Sequence, residues 1–450
     1  MSSWNAYRTE ARTSFLLAYP VMISMLGQVM TGVADSVMIG WTGATPLAAS
    51  ALANSFFGVL LFFGIGVTYA LTPLVAEADG ARQPEKIVQA LRHALVINVI
   101  TGAILTLIIV SGQSLLHVIN QPSEVVELAI PYLLIVSYSI VPTMIFQTFR
   151  QFAEGLQQTR MAMAVMIGCN LLNVALNYVL IYGVWIFPEM GLYGAGWATF
   201  VSRVVMAIWM ALYIYYGKRF ALYRAGFRFG GYSRQLFNRM LHIGLPAGAQ
   251  FIFEAAAFGF SGIMMGWIGT VPLAAHQIAL NLATISYMTT SGLGAAATIR
   301  VGIFYGRRDR TAVRTAGFTL VGLGVLLMTA WAILFITGKH LLPSLYINDA
   351  AVLAAAAPLM VIAGFFQLSD GMQVVCAGAL RGLQDVKVPS LLIFVAYWVI
   401  ALPIGYVLAF GVGWGALGIW AGLLLGLTLT ASAMVWRFNT LSRHVKPMLG

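Results

Sequence analysis

Charged residues are scarce in this sequence. Asp, Glu, Lys and Arg make up 9% of its 450 residues, and Asp and Glu together number only 14. A soluble domain carries about 25% charged residues because polar groups must cover its surface. The chain is instead 60% hydrophobic, with a mean hydropathy of +0.87. This composition excludes a water-soluble globular domain and indicates a protein that is surrounded by lipid.

Cysteine is almost absent as well. The two cysteines, Cys169 and Cys376, lie in or near apolar runs, which argues against a disulfide framework. The six histidines are scattered, and the sequence contains no G-x-S-x-G, H-E-x-x-H or phosphate-loop motif. A membrane-embedded enzyme would need paired histidines or an acidic metal motif at helix ends, and neither occurs. We therefore expect a protein that is not an enzyme and needs no cofactor.

The sequence does contain many separate apolar runs of about 20 residues, each long enough to cross ~30 Å of hydrocarbon as a helix. The short alternating segments of an outer-membrane barrel are missing from it. The first run, Phe15 to Met38, is too long for the core of a signal peptide and should remain as a helix. The pattern predicts an all-α membrane protein with about twelve transmembrane helices.

The net charge of +11 comes from basic residues whose positions match the loops of a membrane protein, which argues against a nucleic-acid partner. Basic residues concentrate in alternate loops, and the intervening loops hold a single one, Lys339. This is the positive-inside pattern of a multi-pass protein of the bacterial inner membrane with both termini in the cytoplasm. The loop between the two halves has no acid, and its basic residues are Lys218, Arg219, Arg224, Arg228, Arg234 and Arg239.

The sequence repeats itself at half its length. Residues 40–49 read GWTGATPLAA and residues 266–275 read GWIGTVPLAA, and the same offset of 226 carries Pro20 onto Pro246. An even number of helices per half gives both halves one orientation, as in transporters with parallel repeats that work by alternating access. We predict three parts: an N-terminal lobe of six helices (1–216), a basic cytoplasmic linker (217–239), and a C-terminal lobe of six helices with a short cytoplasmic tail (240–450).

Three acidic residues, Asp35, Glu254 and Asp370, interrupt apolar runs. A charge at the centre of a membrane helix costs ~2.5–3.5 kcal/mol on insertion scales. Each acid must therefore be protonated, bound to an ion, hydrogen-bonded or turned to a wet cavity. A hydrogen bond to a neighbouring helix is the structural alternative for each of them.

Amide and hydroxyl side chains accompany these acids at helical spacing. The accompanying residues are Gln28, Thr31, Asn173 and Asn177 in the N-terminal half, and Gln250, Gln277, Asn281, Gln367 and Gln373 in the C-terminal half. Their oxygens suit Na⁺, and a carboxylate alone can carry H⁺. The alternatives are that Asn173 and Asn177 bridge helices, and that a second group lines a cavity or packs between helices, namely Gln28, Thr31, Gln250, Gln277 and Asn281.

The sequence also draws attention to the roles of three further residues. Arg203, inside an apolar run, is a substrate group, the counter-ion of a carboxylate or a snorkelling side chain. His276, at a helix start, is interpreted as structural. Pro20 removes a backbone hydrogen bond inside the first run and predicts either a static kink or a gating hinge.

Strings around these residues resemble the multidrug and toxic compound extrusion (MATE) family, in particular its NorM branch. The resemblance spans nearly the whole chain and depends on the order and spacing of VADSVMIG, NLLNVALNYV, GAGWAT, FIFEAAAF, PLAAHQIALN and LSDGMQVVCAGALRGLQD. It implies two six-helix lobes that exchange Na⁺ or H⁺ inward for cationic, amphipathic drugs outward. We expect a monomer whose only bound inorganic partner is the coupling ion.

The resemblance also implies two cation sites, with Na⁺ as a candidate at either. The N-lobe site would consist of Asp35, Asn173, Asn177 and Thr199, and some other branches have Asp at the position of Asn177. The C-lobe site would consist of Glu254, Asp370 and Phe366; the family often has Tyr in place of Phe366, whose ring lacks the hydroxyl ligand.

Two other functions remain as alternatives. A flippase for lipid-linked oligosaccharides, from the same superfamily, would need a more cationic cavity for pyrophosphate, and Arg203 is its only candidate. A channel is also compatible with the repeat, and drug efflux that depends on an ion gradient would exclude it.

Overall fold

The computed structural model describes residues 3–118, 121–228 and 230–445, without the side chains of residues 3 and 4. The end of the predicted tail, 446–450, lies outside the described residues. The α-helices are α1 (Ser3–Gly40), α2 (Ala44–Thr68), α3 (Leu71–Gly80), α4 (Pro84–Gly112), α5 (Ser123–Tyr138), α6 (Ile140–Gly155), α7 (Thr159–Tyr182), α8 (Gly191–Tyr216), α9 (Arg234–Ile268), α10 (Thr270–Gly306), α11 (Arg310–Thr337), α12 (Leu341–Ser344), α13 (Ala350–Gly382), α14 (Lys387–Phe394), α15 (Leu402–Tyr406) and α16 (Ala416–Arg443).

Four further helical segments of the described residues are not α-helical. Two are 3₁₀ helices, Gln113–Val118 and Lys218–Phe227, and two are π-helical, Val395–Ala401 and Val407–Gly411. Eleven described helical segments are long and apolar enough to cross a membrane. The helix α10 is not one of these eleven, but its 37 residues reach about 55 Å at 1.5 Å per residue, and with it the long helical segments of the described residues number twelve. The predicted all-α membrane fold is thus confirmed.

The backbone repeats as the sequence does. The helices α2 and α10 begin at Ala44 and Thr270, 226 residues apart. Arg82 and Arg308 both have φ 56°, and Gln157 and Gln384 both have φ 63°. Positive φ is uncommon outside glycine. The two halves therefore share even the strained turns between their helices.

The halves differ in where their membrane helices are interrupted. In the first half the chain breaks between α2 and α3 and again at Ser139 between α5 and α6, whereas the equivalent α10 and α13 are continuous. In the second half the two π-helical segments interrupt the span from Lys387 to Gly411, whose counterpart α7 is regular.

The two compact units of the structure do not coincide with the two halves of the sequence. The first segment of each half belongs to the unit that contains most of the other half. One unit comprises Ile23–Gly248, and the other combines the residues up to Met22 with those from Ala249 onward. Each boundary falls inside a long helix, two residues after Pro20 in α1 and two residues after Pro246 in α9. The first segments of α1 and α9 therefore pack with helices of the other half of the sequence.

Two equivalent helix crossings hold the exchanged segments. In the unit Ile23–Gly248, a Cβ on Gly66 of α2 would lie 2.5 Å from the Cα of Gly248 on α9. In the other unit, a Cβ on Gly292 of α10 would lie 2.7 Å from the carbonyl oxygen of Ala18 on α1 and would also overlap Met22. Gly66 and Gly292 are 226 positions apart, as are Met22 and Gly248. Both crossings therefore require glycine, because helices at this separation leave no room for a side chain.

Candidate functional site

In the unit Ile23–Gly248, a polar cluster forms where α1 meets α7. Asn177, fully buried on α7, donates a hydrogen bond through Nδ2 to Oδ1 of Asp35, which is half-buried on α1. The same nitrogen lies 3.3 Å from Oδ1 of Asn173, one turn earlier. The Oδ1 atom of Asn177 is buried and has no hydrogen-bond partner among the described residues.

The local structure fixes the position of these side chains. Asn173 and Asn177 face the same way because they are four residues apart on α7. The end of α1 is tied to α7 by the hydroxyl of Tyr182, which donates to the carbonyl oxygen of Met38 at 2.8 Å. Thr199 is half-buried on α8 and makes no hydrogen bond to the described part of this cluster.

Sequence reasoning missed Tyr132 as a member of this cluster. Tyr132 on α5 is 4% exposed, hydrogen-bonds the side chain of Asn54 on α2, and interacts electrostatically with Asp35. A tyrosine in an apolar run is ordinarily interpreted as a membrane aromatic. Tyr132 is far from Asp35 in sequence, so no helical spacing links the two residues.

Arg203 belongs to the same cluster. Its Nη1 donates to Oγ of Ser139 at 2.7 Å, and its guanidinium lies over the ring of Phe57, 5.0 Å from the centroid. It also interacts electrostatically with Asp35 and Tyr132. Of the three sequence-based interpretations of Arg203, a counter-ion for a carboxylate agrees with this environment.

A second polar cluster lies in the other unit, between α9 and α13. Gln373 on α13 donates through Nε2 to Oε1 of Glu254 at 2.8 Å, and Gln250, one turn before Glu254, also hydrogen-bonds that carboxyl group. Asp370 is 7% exposed and interacts electrostatically with Glu254. The Oε1 atom of Gln373 is buried and lacks a hydrogen-bond partner among the described residues.

Aromatic rings surround this second cluster. Phe366 is buried on α13, and its ring contacts Phe258 and Trp420 with centroids 6.0 and 5.8 Å away. His276, fully buried, accepts a hydrogen bond at Nδ1 from the indole N–H of Trp420 at 3.1 Å. Indole nitrogen only donates. This bond agrees with the structural interpretation of His276.

The remaining candidates take different positions. Gln28, Gln277 and Asn281 are exposed, Gln250 is buried beside Glu254, and the Thr31 hydroxyl donates to the carbonyl oxygen of Gly27 at 2.9 Å. Pro20 is buried within α1. The second cluster also contains Tyr397, which sequence reasoning missed; it is 1% exposed and hydrogen-bonds Gln373.

Comparison with known proteins places this architecture in one family. The family model MatE matches the chain twice, at residues 20–179 and 246–407, so that the two matches begin at Pro20 and Pro246. The matches follow the internal repeat, and together they cover more than half of the chain.

Relatives match along nearly the full length. The probable multidrug resistance protein NorM of Rhizobium meliloti is 36% identical over 446 residues, which cover 98% of this chain and 96% of the relative. The multidrug resistance protein NorM of Photobacterium profundum is 33% identical over 440 residues, covering 96% of each chain.

Solved structures share the fold. The eukaryotic MATE transporter AtDTX14 matches with a TM-score of 0.87 at 18% identity, covering 98% of this chain and 99% of that one. An outward-facing multidrug resistance MATE family transporter of the MOP superfamily matches with a TM-score of 0.89 at 20% identity and 99% coverage of both. The chain belongs to the MatE family and is a MATE transporter of the NorM type.

Proposed function

We propose that this protein is a multidrug efflux antiporter that exchanges Na⁺ or H⁺ for cationic, amphipathic compounds by alternating access. The observation that carries the proposal is the acid–amide pair of Asp35 and Asn177 at membrane depth. The amide N–H orients the carboxylate, and the free Oδ1 of Asn177 adds a second oxygen. The relatives named as multidrug resistance proteins support a drug as the cargo.

Competition for one carboxylate couples the inward flux of the coupling ion to the outward flux of the drug. An ionised Asp35 attracts a cationic drug, and a coupling ion that takes the same carboxylate weakens drug binding and releases the cargo. Because the linkage is reciprocal, the drug lowers the affinity for the ion by the same factor. Glu254 and Asp370 offer a second carboxylate site of the same kind.

Pro20 is the proposed hinge of this cycle. It is buried inside α1, and the boundary between the compact units follows two residues later. A proline inside a helix removes one backbone hydrogen bond and so allows a bend there. Two solved MATE structures that share the fold are described as bent and straight conformations.

We further propose that the protein works as a monomer in the bacterial inner membrane with both termini in the cytoplasm. The alternation of basic loops supports this orientation. The flippase alternative receives no support from Arg203, since its guanidinium interacts with Asp35 and Phe57 as a counter-charge to an acid.

The test is transport by protein reconstituted into liposomes under an imposed Na⁺ or H⁺ gradient, with ethidium as the probe. Replacing Asp35 by Asn should reduce gradient-driven ethidium export at least about a hundredfold, because the variant loses the charge for which ion and drug compete. Asp370→Asn tests the second cluster in the same assay.

Glu127→Gln is the matched control, since it neutralises an exposed carboxylate on α5 and should export as the unmodified protein does. Each variant is checked for an unchanged melting temperature. Full export by Asp35→Asn, or export by the unmodified protein that ignores both gradients, would refute the proposal.

A further inference from the structure

Apolar side chains follow one side of α8 up to its C-terminal end. Ile208, Leu212 and Tyr215 are all exposed. Their spacing of four and then three residues places them on the same face of the helix. Because α8 is long and apolar enough to cross a membrane, this exposed face lies against lipid. The three residues form an apolar strip that can accommodate an acyl chain.

The 3₁₀ segment Lys218–Phe227 follows this strip and is fixed to the unit Ile23–Gly248. Phe220 is 2% exposed, and its ring meets that of Tyr213 on α8 edge-on, with centroids 5.6 Å apart. On the other side, Nη2 of Arg92 on α4 donates to the carbonyl oxygen of Ala225 at 2.8 Å. The segment therefore holds one position beside the end of α8.

Arg224 of this segment reaches back to the end of the apolar strip. Its Nε donates to the carbonyl oxygen of Tyr215 at 2.8 Å, in the last turn of α8. The last four carbonyl groups of a helix lack an intrahelical partner, so this bond also caps α8. The bond engages one of the five N–H donors of a guanidinium, whose planar fork matches the oxygens of a phosphate. A phosphate-binding group is thus held at one end of the strip.

The surrounding charge favours an anion at this place. Lys218, Arg224 and Arg228 are all exposed, and the sequence has no acid between Glu189 and Glu254. Clusters of basic residues next to a membrane helix attract anionic lipids. A soluble anion could bind the guanidinium but would leave the apolar strip unused. A charged headgroup with an acyl chain matches both parts of the surface.

We propose that Arg224 and the apolar strip of α8 form a binding site for an anionic phospholipid. The phosphate binds the guanidinium, and an acyl chain lies along Ile208, Leu212 and Tyr215. The inference goes beyond the proposed antiport and shares only its orientation, in which this end of α8 lies in the cytoplasmic leaflet. A lipid bound here joins the beginning of the basic linker to the membrane surface.

The experiment measures lipid binding to the purified full-length protein in a neutral detergent by native mass spectrometry. Phosphatidylglycerol is the probe, and phosphatidylcholine with the same acyl chains is the reference, which the protein should retain less well. Arg224→Gln keeps a side chain that can bond the Tyr215 carbonyl but removes the charge. Its dissociation constant for phosphatidylglycerol should rise about tenfold, as expected for the loss of bonds to a charged group. Arg224→Lys keeps the charge and should bind more tightly than Arg224→Gln.

Arg310→Gln is the matched control, because Arg310 is an exposed arginine at the start of α11 that directly follows Asp309, and its phosphatidylglycerol affinity should equal that of the unmodified protein. Each variant should melt at an unchanged temperature without added lipid. Unchanged affinity in Arg224→Gln, equal retention of phosphatidylcholine, or displacement of the lipid by an equal concentration of inorganic phosphate would overturn the proposal. The assay contains no ion gradient and no drug, so these outcomes leave the proposed antiport intact.

Discussion

At Arg203, a permanently charged guanidinium lies beside the acid that we propose as the coupling residue. It stacks over Phe57, bonds Ser139 and interacts electrostatically with Asp35. Guanidinium stays protonated at any pH the cell reaches. When Asp35 is ionised, the two charges offset each other, and when Asp35 is neutralised, the cluster keeps one positive charge. In the proposed mechanism, Arg203 would therefore repel a cationic drug most strongly at the step of release.

Replacing Arg203 by Gln should tighten binding of ethidium, a monovalent cation, about tenfold, because Asp35 loses its internal counter-charge. Fluorescence anisotropy of ethidium with purified protein measures this change. Arg203→Lys, which keeps the charge, should bind as the unmodified protein does, and so should Arg219→Gln in the segment Lys218–Phe227. Equal or weaker binding by Arg203→Gln would contradict the assignment.

The candidate residues differ in how far sequence could reveal them. Asn173 and Asn177 share a face by their spacing alone, so one part of the first cluster was predictable. The bond from Asn177 to Asp35 joins residues 142 positions apart, and only the family resemblance suggested it. Tyr132 and Tyr397 could not be predicted, because a single tyrosine in an apolar run acquires its role from tertiary packing. The π-turn that aims Tyr397 has no sequence period of its own.

Among the helices, the crossings at Gly66 and Gly292 set how closely α2 approaches α9 and how closely α10 approaches α1. Both lie near the points where the long helices pass from one compact unit to the other. Hydropathy predicted these helices but not their pairing, since glycines are common in membrane helices and do not mark which helices cross.

An alanine at Gly292 should separate α1 from α10 and lower stability by about 1–3 kcal/mol, the usual cost of overpacking. Gly66→Ala should do the same at the equivalent crossing. The measurement is the melting temperature in detergent together with ethidium export. Gly259→Ala is the matched control, since a Cβ there meets nothing within 4 Å and alanine favours the helix. A Gly292→Ala protein as stable and active as this control would contradict the packing account.

At the scale of the whole molecule, ion pairs join the two halves of the sequence within each unit. Arg300 on α10 donates from two nitrogens to the carboxylate of Glu10 on α1, with Nε at 2.6 Å. Arg239 on α9 bonds Glu77 on α3 at 2.7 Å in the other unit. The side chains of the first pair are 13% and 10% exposed, against 47% and 27% for the second.

Glu10→Gln should destabilise the protein by ~2–3 kcal/mol, because it leaves a mostly buried guanidinium without its bidentate partner. Glu77→Gln should cost less than ~1 kcal/mol, as is usual for exposed pairs. A double-mutant cycle with Arg300→Gln, followed by chemical unfolding in mixed micelles, isolates the coupling energy of the first pair. Equal costs at the two positions would show that burial does not decide their strength.

The exchange of the first segments of α1 and α9 bears on how such a chain could arise. Two separate copies of a six-helix protein, both inserted in the same direction, could trade these segments and form a homodimer with intertwined arms. Each copy would then be incomplete alone, and selection would act on the pair before any gene fusion took place. Joining the genes would need only a short hydrophilic connection on one face of the membrane. Each copy would then be free to diverge, and, among the described residues, the two halves now differ at the acids themselves, with Asp35 alone in one cluster and Glu254 with Asp370 in the other.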